Sequence, residues 1–467
     1  MDVYRLLPRM NCAECGEENC LALAVKIANR EMQLEECPSL MTRERNRDYT
    51  LLKELLRPPI REITVSSGKR VVKIGGKLAV YRHDSAYANP TAMAIDVTDE
   101  MPEKESTDRI KRTASFGFEF IGQRLQLDMI AIRSTSNDAG RFKTVVKKVT
   151  ETTDLPLVLC SLSPQIIEAG LTVAADAKPL LYGATVDNWK DMADLALRHS
   201  CPLTVVVRHD LQLLRSLTKA VREYGVEDLV LDPGTFSGEG LIHTLNSFTM
   251  IRRAACDEGD VLLGFPIMSV PMVSWTEDTV SVADEIIKWR EAYLAAMLIT
   301  RYADLTIIHT LEGWALLPVV VLRQNIYTDP RKPMAVQSGL RVFGNPDENS
   351  PVMFTTNFAL TYYTVAADLE SAKIDAYLIV VDTGGIAVDS AVAGRKLTPE
   401  KIVNALKASG IEGKVNHRKL LIPGKAVRLA PEIEELSQWN VLVGPKDSSG
   451  IADFLTKNQL PQKSRER

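Results

Sequence analysis

Four of the chain's seven cysteines stand in its first 37 residues, three of them inside "NCAECGEENC" (11–20) and one in "LEECPSL". Their pattern is C-x2-C-x4-C-x16-C: Cys12, Cys15, Cys20 and Cys37. In a reducing compartment such a group reads as a metal or redox site, not as a disulfide framework. Four thiolates can hold tetrahedral zinc or an iron–sulfur cluster. Zinc sites usually pair two C-x2-C knuckles, whereas three close ligands and one remote ligand suit the corners of a [4Fe-4S] cubane; zinc stays the alternative. Cys160, Cys201 and Cys256 are scattered along the chain and read as buried, inert thiols.

A second group lies near the C-terminus, in four loops of small and polar residues. These are "TTNF" (355–358), "VDTGG" (381–385), "IPGK" (422–425) and "VGPKDSSG" (443–450), each following an aliphatic run. In an open α/β sheet, ligands bind beyond the carboxyl ends of the strands, and glycine allows close backbone approach. Four such loops on one edge could floor a large, flat cofactor; singly, Gly424 and Gly444 read as turn residues. Between the two groups, Asp232, Arg208-His209-Asp210 and His309 stand at the ends of apolar runs. No base–nucleophile pair or metal triad emerges among them, and each reads as a satisfied polar residue.

The elements that must position these groups follow a repeated theme. Apolar runs at 77–83, 128–134, 155–160, 178–184, 202–208, 228–234, 260–266 and 304–310 alternate with amphipathic segments such as "DNWKDMADLALRHS" and "LQLLRSLTKAVREYG". Near-continuous apolar strands suit a parallel sheet buried on both faces, and eight such units suit a TIM (β/α)8 barrel. An open doubly wound sheet is the alternative. Ahead of this region a helix after Cys20, with Leu21, Val25, Ala28 and Met32 on one face, should return Cys37 to the other cysteines. Pro58-Pro59 should then break the lead-out helix. The turn-rich segment 323–351 reads as a domain connection and hinge. Beyond it, strands at 352–356, 376–381, 419–423 and 440–444 build a second α/β unit, with a helix from Pro399 capped by Thr398. The expected organisation is α/β throughout: a four-cysteine cluster module over 1–60, a barrel over 61–325, and a doubly wound cofactor domain over 326–467 that ends in a disordered tail.

Bulk properties exclude several classes. Net charge is -4, against the basic stripe of a nucleic-acid binder. The start, "MDVYRLLPRM", holds no apolar signal region, and "ALLPVVVL" (315–322) is too short to span a bilayer, so a cytoplasmic location is expected.

Three stretches carry a resemblance: "MNCAECGEENCLALA" with "ECPSL", "RHDSAYANPTAMAIDV", and "TTNFALTYYTVAADLES" with "AYLIVVDTGGIAVDSAVAGRKLTPE". On these the chain resembles the large subunits of corrinoid/iron–sulfur proteins, and more closely the gamma subunits of archaeal acetyl-CoA decarbonylase/synthase complexes. The resemblance implies one [4Fe-4S] cluster, one corrinoid (a cobamide), and methyl transfer through Co(I) and methyl-Co(III). The methyl would pass between tetrahydrosarcinapterin, or a related tetrahydropterin, and a nickel centre that makes acetyl-CoA. No side chain of the protein would be catalytic, because cobalt is the nucleophile. The cluster would reactivate Co(II), a role zinc cannot fill because it has no redox chemistry. Implied partners are a delta subunit as heterodimer, a beta subunit with the nickel centre, an alpha/epsilon CO dehydrogenase, and the methyl-tetrahydropterin. The "VDTGG" loop would approach the cobalt's lower face through Thr383, with Thr356, Gly384, Gly385, Gly424 and Gly444 as further contacts. None of the six histidines has aspartate two residues before it, so the D-x-H-x-x-G axial ligand of other cobalamin folds is absent and a base-off corrinoid is expected. Two other readings remain: a pterin methyltransferase using the barrel, and an iron–sulfur electron-transfer or scaffold protein.

Overall fold

The computed structural model describes residues 2–29, 31–85, 89–174, 177–276, 282–328 and 333–458, and the expected disordered tail lies outside them, beyond 458. The described chain forms two compact units: residues 1–116 with 127–327, and residues 117–126 with 328–467.

The first unit begins with the cysteine module, a small core of its own around Leu7, Leu23, Ile27, Leu40 and Leu52. Its central helix runs Cys20–Ala28, and Asn19 caps it by accepting from the amides of Leu21 and Ala22. Cys20 must face inward with the other thiols, and that sets the helix phase. The buried face is therefore Cys20, Leu23, Ala24 and Ile27. The expected face is wrong, since Leu21 and Val25 are half exposed at 52% and 54%.

A hairpin of β1 (Glu62–Ser66) and β2 (Val71–Gly75) follows. It meets the barrel at the N-terminal ends of the barrel strands, where Ser66 bridges Lys178 and Arg61 donates to Gly264. The barrel opens with β3 (Ala92–Thr98). After a small hairpin, β4 (Gly117–Phe120) and β5 (Gln123–Gln126), it continues with β6 (Met129–Arg133), β7 (Leu157–Cys160), β8 (Leu180–Ala184), β9 (Leu203–Val206), β10 (Leu229–Asp232), β11 (Met268–Ser269) and β12 (Leu305–Ile308). The order β10-β9-β8-β7-β6-β3-β12-β11 is parallel throughout, and a bridge from Leu231 to Ile267 brings its two ends together. The sheet is thus a nearly closed eight-stranded barrel, filled by apolar side chains rather than open as a pore.

Two of the eight expected strands are misplaced. Residues 77–83 form no strand; the first barrel strand is β3, whose residues from Ala92 to Val97 are all buried. Residues 260–266 form a turn, because the Asp260 side chain accepts from the Leu262 amide and its carbonyl from Leu263. The strand starts two residues past that segment, at Met268.

The second unit is a five-stranded sheet of β13 (Gly339–Phe343), β14 (Val352–Thr356), β15 (Ala376–Val381), β16 (Lys419–Ile422) and β17 (Asn440–Val443). Its order is β13-β15-β14-β16-β17, parallel except for β13, an edge strand that the turn-rich segment hides. Val352 and Phe354 face one apolar cluster and Met353 the other, so helices cover both faces. The helix Pro399–Ala408 starts as expected, with Thr398 accepting from Lys401. Part of the expected hinge is helical, since Gly313–Tyr327 runs into it, and residues 329–332 lie outside the described ones.

Candidate cofactor sites

The sites are three. In the module, Cys12, Cys15, Cys20 and Cys37 line one small cavity together with Asn11 and Ser39. The loop reaching it turns repeatedly through the left-handed region at Arg9, Asn11, Ala13 and Gly16, with φ of 57, 48, 58 and 86°. Such turns aim backbone amides into a concavity, the arrangement that receives anions and iron–sulfur clusters. Asn11 ties the third cysteine in place: its Oδ1 accepts from the Cys20 amide at 2.9 Å and its own amide donates to Cys20 Sγ at 3.4 Å. Burial raises the Cys37 pKa, and the neighbouring sulfurs raise it further. Among the described residues, no three His, Cys, Asp or Glu side chains converge as the ligands of a single ion do.

The second site is the barrel mouth. Arg133, Cys160, Tyr182 and Asp232 at strand ends, with Asn137 and Arg208 from the loops, line a cavity of about 570 Å³. Asp232 is 2% exposed. Its Oδ2 accepts from the Tyr182 hydroxyl at 2.9 Å and its Oδ1 from the Gly234 amide at 2.9 Å. Burial nevertheless pushes its pKa up, against the pull of those bonds and of Arg208. Beside the cavity, Asp96 is wholly buried yet ionised. Burial would raise it, but the His309 hydrogen bond and the charges of Arg109 and Arg133 overcome that and hold it at about 2. His309 Nδ1 sits 2.7 Å from Asp96, and Arg133 is 2.8 Å away. The other expected rim residues are structural: Asp210 caps a helix by accepting from Leu213, and His209 stacks on Phe236. Cys160, buried among these groups, has its thiol pushed up to about 12, consistent with an inert thiol.

The third site is the carboxyl edge of the second unit's sheet. The chain passes from β14 to β15 on one side, then crosses to β16 on the other, so the order reverses between β14 and β16. That reversal is where open α/β sheets hold ligands. A cavity of about 310 Å³ opens there, lined by Met353, Thr355, Thr364, Leu378, Leu421 and Lys425 among others. All four loops singled out from the sequence stand on this edge. Their residues differ in what they offer. Gly424 and Gly444 approach each other backbone to backbone: a Cβ on Gly424 would lie 2.7 Å from the Gly444 carbonyl oxygen. Thr383 is 2% exposed, and its hydroxyl donates to the Ile386 carbonyl at 2.8 Å. Gly384 and Gly385 both take positive φ, 71 and 74°, and the Cβ direction at Gly384 is open. Thr355 and Thr356 end β14 with buried hydroxyls that have no hydrogen-bond partner among the described residues. Such a hydroxyl lining a cavity, as Thr355 does, is costly unless something fills it. The edge therefore fits a bulky, largely apolar ligand with a few acceptors.

One residue of this edge carried no signal of its own in sequence. Asn357, inside "TTNF", is 5% exposed, and its Oδ1 accepts from the amides of Thr383 and Gly385 at 2.9 and 3.0 Å. Only its position beside Thr383 and Gly385 of the next loop reveals a role, and those lie 26 and 28 residues on.

These features describe an α/β protein with a cysteine-lined pocket, a polar barrel mouth and a cavity at the crossover of a doubly wound sheet. A family model described as CO dehydrogenase/acetyl-CoA synthase delta subunit matches residues 62–455, and an Fe–S cluster model matches 7–39. The acetyl-CoA decarbonylase/synthase complex subunit gamma of Methanothermobacter thermautotrophicus is 44% identical, over 98% of this chain and 98% of its own. Subunit gamma 2 of Methanosarcina thermophila is 45% identical over 99% of each chain. The chain belongs to the family of acetyl-CoA decarbonylase/synthase gamma subunits. Among solved structures, dihydropteroate synthase from Xanthomonas albilineans aligns with 57% of this chain and 100% of its own, at TM-score 0.41 and 14% identity, too distant to carry an argument. No helix of the described residues is long and apolar enough to cross a membrane.

Proposed function

We propose that the chain is the corrinoid/iron–sulfur methyl carrier of an acetyl-CoA decarbonylase/synthase complex. It would move a methyl group between a tetrahydropterin, such as tetrahydrosarcinapterin, and the nickel centre of a beta subunit. A delta subunit and an alpha/epsilon CO dehydrogenase would complete the assembly. When bound, the corrinoid would supply the nucleophile that carries the methyl group, and a [4Fe-4S] cluster the low-potential electron that keeps it in service.

The chain's own residues do the holding. Cys12, Cys15, Cys20 and Cys37 bind the cluster, with Asn11 fixing Cys20. At the sheet edge, Gly384 offers an open, side-chain-free surface, while Thr383, Gly385, Gly424 and Gly444 shape the loops behind it. Thr355 and Thr356 bring unpaired hydroxyls to the end of β14. No histidine stands in these loops, so the protein supplies no imidazole to a cobalt there. The observation that carries the reading is the empty-handed Thr355 hydroxyl in a mostly apolar cavity at the sheet's crossover.

The test is the iron, cobalt and zinc content of anaerobically purified protein, read with its EPR spectrum. About four irons and one cobalt per chain, with a base-off Co(II) signal, is the expected result. Iron without cobalt would leave the cluster and remove the carrier; zinc without iron would remove the redox role.

A second reading concerns the barrel mouth. An acid and an amide, Asp232 and Asn137, line the same cavity with Arg133 and Arg208, as a seat for the methyl-tetrahydropterin requires. Titrating the intact protein with tetrahydropterin tests it, and unchanged binding in Asp232→Asn would remove it.

A further inference from the structure

Asn357 reaches the Asp382–Gly385 loop through both ends of its amide. Its Oδ1 accepts from Thr383 N at 2.9 Å and Gly385 N at 3.0 Å. Its Nδ2 donates to Asp382 Oδ1 at 2.9 Å, and that same oxygen accepts from Gly384 N at 2.9 Å. Three consecutive amides, of residues 383, 384 and 385, are thus gathered directly or at one remove by a single side chain. The Asn357 backbone is held as well, donating to Val381 and accepting from Val336, both at 2.9 Å. Without these bonds, two successive glycines at positive φ would have little to fix them.

This bonding decides what the loop can present to a ligand. Its amide donors are used, and the Thr383 hydroxyl is turned inward, donating to the Ile386 carbonyl at 2.8 Å and standing 3.1 Å from Asn357 Oδ1. What remains on the outside is the bare Cα of Gly384 and the Asp382 side chain, one of whose oxygens Asn357 ties down.

We infer that Asn357 is a positioning residue: it keeps the Thr383 oxygen and the loop amides away from the ligand face, so that the protein offers no strong axial donor there. The inference rests on the corrinoid reading, but the hydrogen-bond clamp does not.

The test uses full-length protein and three variants. Asn357→Ala removes the clamp. Asn357→Asp keeps the acceptor but sets a carboxylate against Asp382. Asn357→Asp with Asp382→Asn restores the pair with donor and acceptor exchanged. Hydrogen exchange at residues 383–385, in protein free of corrinoid, should quicken roughly tenfold or more in the single variants. It should recover at 383 and 385 in the double one, where the new amide NH2 at position 382, turned to the new carboxylate at position 357, no longer accepts from Gly384. Unchanged exchange in Asn357→Ala overturns the clamp. In corrinoid-loaded protein, with cobalt content matched, the single variants should change the Co(II) EPR signal and lower the Co(II)/Co(I) midpoint potential as an oxygen donor becomes available. The double variant should return both. Altered exchange with an unchanged EPR signal and potential overturns the positioning role. Wild-type protein that binds no cobalt fails the corrinoid reading instead, and the exchange data distinguish the two failures.

Discussion

The barrel mouth and the sheet edge are both built at the carboxyl ends of parallel strands, yet they are made of different material. Around the barrel mouth the chain buries charge: Asp96 and Asp232 are held by arginines, a histidine and a tyrosine, although the hydroxyls of Thr204, Thr306 and Thr310 in this barrel also have no hydrogen-bond partner among the described residues. At the sheet edge the chain buries backbone and aliphatic surface and leaves two hydroxyls unpaired. A site lined by paired buried charges can recognise a small, hydrogen-bonding molecule by exchanging partners. A wall of glycine, aliphatic carbon and spare hydroxyls does little chemistry alone, and suits a large cofactor that brings its own. On the proposed reading, the same topological position would serve selection in one unit and carriage in the other.

That contrast can be broken or sharpened in four ways. The largest effect should come from Asp232→Ala, which removes a buried carboxyl and strands the Tyr182 hydroxyl. Tetrahydropterin affinity should fall about a hundredfold, or about 3 kcal/mol, with cobalt content unchanged. Calorimetric titration beside cobalt analysis checks both, and loss of cobalt would merge the two sites.

Next is acid stability. Folding lowers Asp96 from 3.8 to about 2, so its contribution is complete above about pH 4 and is lost as pH falls towards 2. The difference amounts to about 2 kcal/mol. Denaturant melts of Asp96→Asn should lack that part of the acid dependence; an unchanged profile would show that the buried charge is not held by its partners.

Gly384→Val comes third. It forces a β-branched residue to φ near 71° at a position with open space, so the cost is backbone strain of about 1–2 kcal/mol rather than a clash. Cobalt occupancy should drop while tetrahydropterin binding holds, as metal analysis would reveal.

The smallest effect is the most diagnostic. Thr355→Val keeps the shape and deletes an unpaired buried hydroxyl, so cobalt-free protein should gain about 1 kcal/mol in urea melts. Corrinoid affinity should weaken severalfold at the same time. A loss of stability would mean that the hydroxyl already has a partner.

The sequence made some of this legible for plain reasons. Strands such as β6, β7 and β9 are short apolar runs buried on both faces. The first barrel strand escaped notice because Asp96 interrupts its apolar run, and an aspartate in mid-strand is acceptable only with the Arg109, Arg133 and His309 partners that folding brings. Residues 260–266 deceived for the opposite reason, since a run of apolar residues carried no sign that the Asp260 side chain would bend it. That the four cysteines gather at one cavity was readable from their spacing, but the helix phase beside them was not, because the buried face includes Cys20 and leaves Leu21 and Val25 outside. The four C-terminal loops announced an edge. Which glycines face outward and which merely meet one another depended on contacts between loops, and Asn357 matters only through such a contact.

The hairpin β4–β5 has a consequence for synthesis. It belongs to the second unit, with Gly122 so close to Tyr363 that a Cβ there would overlap the ring, yet it is encoded far ahead of the rest of that unit. A two-stranded hairpin is marginal alone. On the ribosome it must wait for its partner, roughly 200 residues away and on the order of 10–40 s at ordinary elongation rates. The first unit can close its core before the second begins to form, with one piece of the second already exposed. A chaperone that shields the nascent chain during that interval should therefore raise the yield of complete protein, and a protease present then should find residues 117–126 first.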